Sequence, residues 1–295
     1  MATLLRRALY WSLRFRDALE VSLASVQIST ETAGTTSLFR ALFQVWRGAP
    51  AQRKVFVETV LDEMSKPASF VATLTGNSMA PTLNAHVTSP FRPGERLVIR
   101  RLSRWTGSMD TVRGEVTFYR RPLAYRGDIV VVKDPEDGSR RFVRRVVALE
   151  GDELVRDEEE TSQALLRLER GQYWVLRDND NPIEEDIQLL RERALEAGTA
   201  SADPQANAQK ADAPNVGSGA ALPAERLPLA QQINLLRILR RDSRDFGPVT
   251  SDHIIGRVIY AIRNEVDHGR VRNSGLSMMR DDVILAVELQ QLGMC

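Results

Sequence analysis

The sequence is 295 residues long, enough for one large domain or two modest ones. Forty Lys and Arg balance 39 Asp and Glu, which excludes the basic excess of a nucleic-acid binder and the acidic excess of a solvating disordered chain. One cysteine, Cys295, and three scattered histidines, His86, His253 and His268, exclude an internal disulfide framework and show no metal-ligand spacing, so no metal and no cofactor is expected.

No stretch approaches the roughly 18 apolar residues of a spanning helix. Arg6, Arg7, Arg14 and Arg16 precede the first acid, Asp17, and interleave with Leu4, Leu5, Leu9, Trp11, Leu13 and Phe15. This basic, amphipathic, acid-poor start has the composition of an organellar transit peptide and also suits a bilayer interface. The alternative is an ordinary amphipathic helix packed on the protein's own core. Leu38, Leu42, Phe43 and Trp46 recur near helical spacing. Pro50 suits the first turn of a further helix, which Pro67 ends. Residues 1–66 are thus expected to be a helical targeting or membrane-docking region, with a separate domain over 67–295.

Beyond Ser69 short β-type runs alternate with turn residues. They are Phe70–Leu74, Arg96–Ile99 after a turn at Pro93-Gly94, Glu115–Tyr119, Ile129–Val132 and Phe142–Leu149. Tyr173–Leu176 and Ile254–Ile262 complete the set. Few helices separate them, which predicts a mainly β, antiparallel fold. Arg100, Arg101 and Arg104 read as a surface cluster. Residues 197–224 are rich in Ala, Gly, Pro, Asn, Gln and Asp and lack aromatics, so they read as a disordered insertion. Helical pieces, Ile183–Leu195 and Ala230–Arg240, flank it.

The chemistry points to Gly76-Asn77-Ser78-Met79-Ala80-Pro81-Thr82. A serine there leaves a strand at a proline bend, where its hydroxyl can face a cleft and backbone N–H groups can hold an oxyanion. Four further blocks follow. They are Gly127-Asp128-Ile129-Val130-Val131-Val132, Arg144 to Asp152, Tyr173 to Asn179, and Asp242 to Val249 with Ile255-Gly256-Arg257. Together, in this order, they resemble the type I signal peptidases and mitochondrial inner membrane peptidases. Val266-Asp267-His268-Gly269 and the tail after it are similar to a plant and algal signal-peptidase-like subgroup, whose members do not all keep the complete catalytic pair.

The resemblance implies an antiparallel signal-peptidase-like β domain over 67–295 and a serine–lysine endopeptidase acting on presequences. It makes Ser78 the nucleophile and sets Asp242, Ser243 and Arg244 in the supporting segment. The family's general-base lysine falls on Arg144. An arginine cannot serve, because its pKa lies above about 12 and a base must titrate near working pH. Lys133 would need an irregular strand register to replace it, and His253 only a favourable tertiary position. Arg177 stands where the family has glycine, and Ala148 and Glu150 replace its glycine and proline.

The expectation is therefore a non-catalytic or impaired member, acting as a subunit or presequence-binding scaffold at an organellar inner membrane. The alternative is an active serine endopeptidase. The Arg-rich, Ser- and Thr-poor start favours mitochondrion over chloroplast. Presequences, a membrane surface and a partner subunit are the expected partners; nucleic acid is not.

Overall fold

The computed structural model describes residues 2–25, 38–87, 91–102, 107–112, 115–120, 122–156, 164–200 and 227–291. Three helices come first: α1 (Ala2–Ser25), α2 (Leu38–Arg47) and α3 (Pro50–Ser65). Pro50 opens α3 as anticipated, where its missing N–H leaves no helical bond unmade. The strands are β1 (Ser69–Thr75), β2 (Pro93–Arg101), β3 (Gly107–Val112), β4 (Glu115–Arg120), β5 (Ile129–Lys133) and β6 (Arg141–Leu149). They continue with β7 (Glu153–Arg156), β8 (Ala164–Arg167), β9 (Gln172–Leu176), β10 (Val249–Thr250), β11 (Ile254–Ile262) and β12 (His268–Arg270). Between β9 and β10 stand α4 (Ile183–Ala200), α5 (Leu229–Leu239) and the one-turn α6 (Ser243–Phe246). Helix α7 (Gly275–Gln291) follows β12.

The main sheet runs β1-β2-β11-β5-β6-β9-β10, with β12 added to β11. Every pairing is antiparallel. The two hairpins β3–β4 and β7–β8 stand apart from it. This is the expected mainly β fold. Strand β5 is apolar from Ile129 to Val132 because both its faces are covered there. Ile129 and Val131 join Leu74, Met79, Leu83, Leu97 and Ile99 in one core. Val130 and Val132 join Phe142, Val146, Tyr173 and Val175 in the other. Each such side chain contributes roughly 1.5–3 kcal/mol of burial.

Several expectations need correcting. Pro93 and Gly94 form no turn but begin β2. A Cβ on Gly94 would lie 2.1 Å from Asn84 Oδ1, so glycine is required by close approach within a strand. Strands β3, β7 and β8 and helix α7 had no clear periodic signal. Helix α4 runs on to Ala200, into the predicted insertion, whose remainder lies outside the described residues.

Arg100 is buried rather than on the surface, and Arg104 lies outside the described residues. Arg100 Nη1 donates to Asp281 Oδ1, and its Nη2 lies 3.4 Å from Asp17 Oδ2. Arg257 donates from Nε and Nη2 to Asp281, at 2.7 and 3.0 Å, and from Nη1 to Asp128 Oδ2 at 3.1 Å. Asp128 and Arg257 come from two blocks far apart in sequence. Their pairing ties β5 to β11 and, through Asp281, to α7.

Helix α1 is held on the body by its own polar contacts. Tyr10 Oη donates to Glu288 Oε1 at 2.8 Å, and Ser69 Oγ donates to the other carboxylate oxygen at 2.9 Å. Burial, reinforced by Glu288, pushes the Tyr10 phenol up to about 12. The opposite side of α1 exposes Leu5, Leu9, Trp11 and Phe15. Among the described residues no helix is long and apolar enough to cross a membrane.

Candidate functional site

Ser78 lies in the loop after β1, which Asn84 clamps from within. Asn84 adopts φ 56°, a left-handed conformation that asparagine tolerates better than most residues. Its Nδ2 donates to Leu74 O at 3.2 Å and Gly76 O at 2.7 Å. Its N–H donates to Glu95 Oε1, and Glu95 N–H donates back to Asn84 Oδ1. From the other side Asn179 N–H donates to Ser78 O at 3.1 Å, and Asn179 Nδ2 to Asn77 O at 3.0 Å. Ser78 is 7% exposed.

Arg144 reaches Ser78 through the alternation of β6. Phe142, Arg144, Val146 and Ala148 share the buried side of that strand. Arg144 is 1% exposed, with its guanidinium over the Phe142 ring, 5.0 Å from the centroid. A guanidinium has five N–H donors, and here all five are occupied. Nη1 donates to Ser78 Oγ at 3.2 Å and to Val143 O at 2.6 Å. Nη2 donates to Leu239 O at 2.8 Å and to Arg241 O, and Nε donates to Arg241 O at 2.8 Å. Burial pushes Arg144 down to about 10, with Asp242 opposing that shift and Arg177 adding to it. It is still a cation at neutral pH, and it is the donor in its bond to Ser78.

Neither alternative base joins this pair. The β5–β6 register is regular from Ile129 to Lys133, and Val130 faces Arg144. Lys133, three residues along the strand, therefore projects on the opposite side. His253 sits in a 3-10 turn, Ser251–His253, with Nδ1 against Thr250.

The other expected site residues lie one step out. Asp242 caps α6: its side chain accepts from Arg244 N–H, and Asp245 accepts from Asp242 N–H. Burial opposes ionisation of Asp242, but the Arg244 side chain and N–H outweigh it and hold the carboxyl below the usual range. Ser243 Oγ is buried and accepts from Val175 N–H at 2.9 Å, which fixes α6 against β9. These residues shape the turn from which Arg241 O meets Arg144.

Arg177 finds ready partners. Its Nε donates to Asn179 O at 2.9 Å and its Nη1 to Arg240 O at 3.0 Å, with Asp242 Oδ2 3.7 Å away. Three successive carbonyls at the end of α5, those of Leu239, Arg240 and Arg241, thus receive Arg144 and Arg177. Arg240 in turn donates from Nη1 to Asn181 O at 2.8 Å. Its Nη2 lies 3.2 Å from Asp186 Oδ2, an ion pair by distance without hydrogen-bond alignment. No local sequence signal marks Arg240 or Asn84 as part of the site, since both act through backbone carbonyls or buried contacts. Arg145 completes the surroundings by clasping Asp178 with Nε and Nη2 at 2.8 and 2.6 Å.

Residues 67–162, which include Ser78 and Arg144, match the family described as signal peptidase, peptidase S26. The chain is also similar to the mitochondrial ATP-independent inner membrane protease subunit 2 of Arabidopsis thaliana. The identity is 33% over 167 residues, covering 57% of this chain and 55% of that one. The chain thus spans about half the length of this curated relative.

Proposed function

We propose that this chain, a member of the type I signal-peptidase-like family, carries Arg144 at the general-base position and is a non-catalytic subunit or presequence-binding scaffold of a mitochondrial inner membrane complex. The observation that carries this reading is the full occupancy of Arg144. Ser78 can attack a carbonyl only if a base takes its proton, and a guanidinium held near 10 is already protonated at neutral pH. The name of the Arabidopsis relative, a protease subunit, supports assembly with a partner chain and precursor polypeptides as ligands. The same name favours the mitochondrial over the chloroplast setting. Residues 1–66 would form the membrane-docking region, through the exposed Leu5, Leu9, Trp11 and Phe15 beside the exposed Arg6 and Arg7.

One contact favours the second reading, an active serine endopeptidase. A cation 3.2 Å from Ser78 Oγ stabilises an alkoxide. That reading requires a proton acceptor brought by the substrate or by a partner chain.

The deciding experiment offers presequence peptides to the purified chain and to Ser78→Ala, following both binding and cleavage. Binding without cleavage by either protein is the expected result. Cleavage by the natural chain that disappears in Ser78→Ala would overturn the scaffold reading.

A further inference from the structure

Ser78 and Arg144 are almost wholly enclosed, and the elements enclosing them include two helices that contribute no strand to the sheet. Helix α4 meets the Ser78 loop at its start, where Asn77 Nδ2 donates to Asp186 Oδ1 at 3.4 Å. It meets the chain beyond that loop at Phe91, which packs with Ile187 and Leu190 of α4 and Leu236 of α5. The end of α5 lays the Leu239, Arg240 and Arg241 carbonyls on Arg144 and Arg177. Arg240 fastens the base of the pair to Asn181 and Asp186.

We propose that α4 and α5 form a cover over the Ser78–Arg144 site, latched by Arg177 on the Arg240 carbonyl and by Asn77 on Asp186, and that a polypeptide reaches Ser78 only when this cover lifts. The inference deepens the reading of this site as one that receives presequences, and in that sense it rests on it. The physical case is one of size and attachment. An extended polypeptide cannot settle against a serine that is only 7% exposed. The sheet below cannot open, because β5 and β6 pair without interruption and carry both cores. The pair above is held by a small apolar cluster and a few polar contacts at one end, so it is the part that yields at least cost.

The test does not depend on catalysis. Cys295→Ser removes the one native thiol, and Ser78→Cys places a reporter at the site. Modification by a maleimide is followed in this background, and then with Arg177→Ala or Asp186→Ala added. The covered thiol should react at least ~100-fold more slowly than a free thiol at the same pH, as expected for a group protected by local closure. Each latch variant should speed it about tenfold, as expected on loss of a buried polar or charged contact.

If a latch variant unfolds, the rate in the unlatched background is measured in increasing sub-denaturing urea instead. Opening of the cover gives a slope well below that of global unfolding. Reaction at the free-thiol rate without any latch variant overturns the proposal. So does a folded latch variant with an unchanged rate, or a urea slope equal to that of global unfolding. Presequence-peptide binding is measured on the latch variants with Ser78 intact. Faster labelling without peptide binding leaves the cover standing and removes the presequence reading instead.

Discussion

Arg144→Lys is the perturbation that most directly isolates the chemistry of position 144. Burial takes the guanidinium from 12.5 to about 10, a displacement of ~3 kcal/mol against the charged form. The same burial acts on an ammonium, whose ordinary pKa is about 10.4, and moves it toward neutrality, where a general base works. The lysine would then take the Ser78 proton that arginine cannot, a contribution of about 10²–10⁴ in rate. The change has a structural cost. As a neutral amine the lysine has two N–H donors for the three carbonyls that Arg144 serves, those of Val143, Leu239 and Arg241, so at least one loses its partner at about 1–3 kcal/mol.

The assay is cleavage of presequence peptides from pH 6 to 9, with melting curves alongside, on Arg144→Lys alone and combined with Arg177→Ala to free the cover. Cleavage should rise with pH as the amine loses its proton, and Ser78→Ala should abolish it. Stability should rise over the same window, because the folded lysine has released a proton that the unfolded chain still binds. A folded Arg144→Lys protein that stays silent in both backgrounds refutes the claim that position 144 alone disables the site.

Gly256→Ala should cost about 3 kcal/mol in urea unfolding, since the added Cβ would lie 2.5 Å from Arg100 O and two strands would have to part. Asp281→Asn should cost about 3–5 kcal/mol by the same measurement, because it strips Arg257 and Arg100 of their shared carboxylate. Burial resists ionisation of Asp281, but those two arginines outweigh it and hold its carboxyl below the usual range. Its stabilisation is therefore complete above about pH 4 and lost as pH falls below it, and Asp281→Asn should flatten the acid limb of the stability curve. Tyr10→Phe should cost about 1 kcal/mol. The phenol is raised to about 12, so Tyr10 loses stability as pH climbs from 10 toward 12, and the phenylalanine variant should not.

The sheet was legible because alternation and turn residues are local signals. The runs around Ile129, Phe142, Tyr173 and Ile254 all became strands. Strand β2 was misjudged at its start because a Pro-Gly pair signals a turn only when nothing else claims the glycine, and here the Asn84 side chain does. Arg100 was misjudged because charge next to charge reads as surface, while its neutralising partners lie at positions 17 and 281. The juxtaposition of Ser78 and position 144 followed from a resemblance. The cover followed from nothing local: its contacts to Arg144 and Arg177 are made by main-chain carbonyls, which every residue type offers.

The two arginines that depart from the family pattern and the helices above them belong together. Among the described residues Arg144 bonds to no carboxylate and depends on the Ser78 hydroxyl and on carbonyls, of which that of Leu239 comes from α5. Arg177 uses the next one, that of Arg240. The ends of the helical pair lie close, since the Arg240 side chain reaches Asn181 O, so a short turn can replace residues 183–240. Such a deletion should be harmful with arginine at 144, because a buried guanidinium N–H is left without an acceptor at about 1–3 kcal/mol. With Arg144→Met the same deletion strands no donor at position 144, and the Arg240 carbonyl lost to Arg177 is lost in both backgrounds and cancels. Urea unfolding of the natural chain, the two single variants and their combination gives the coupling directly. A coupling of about 1–3 kcal/mol means that the cover is what makes arginine tolerable beside Ser78. Additive costs would mean that the helices and Arg144 are independent, and that the carbonyl contacts contribute nothing specific to holding that charge.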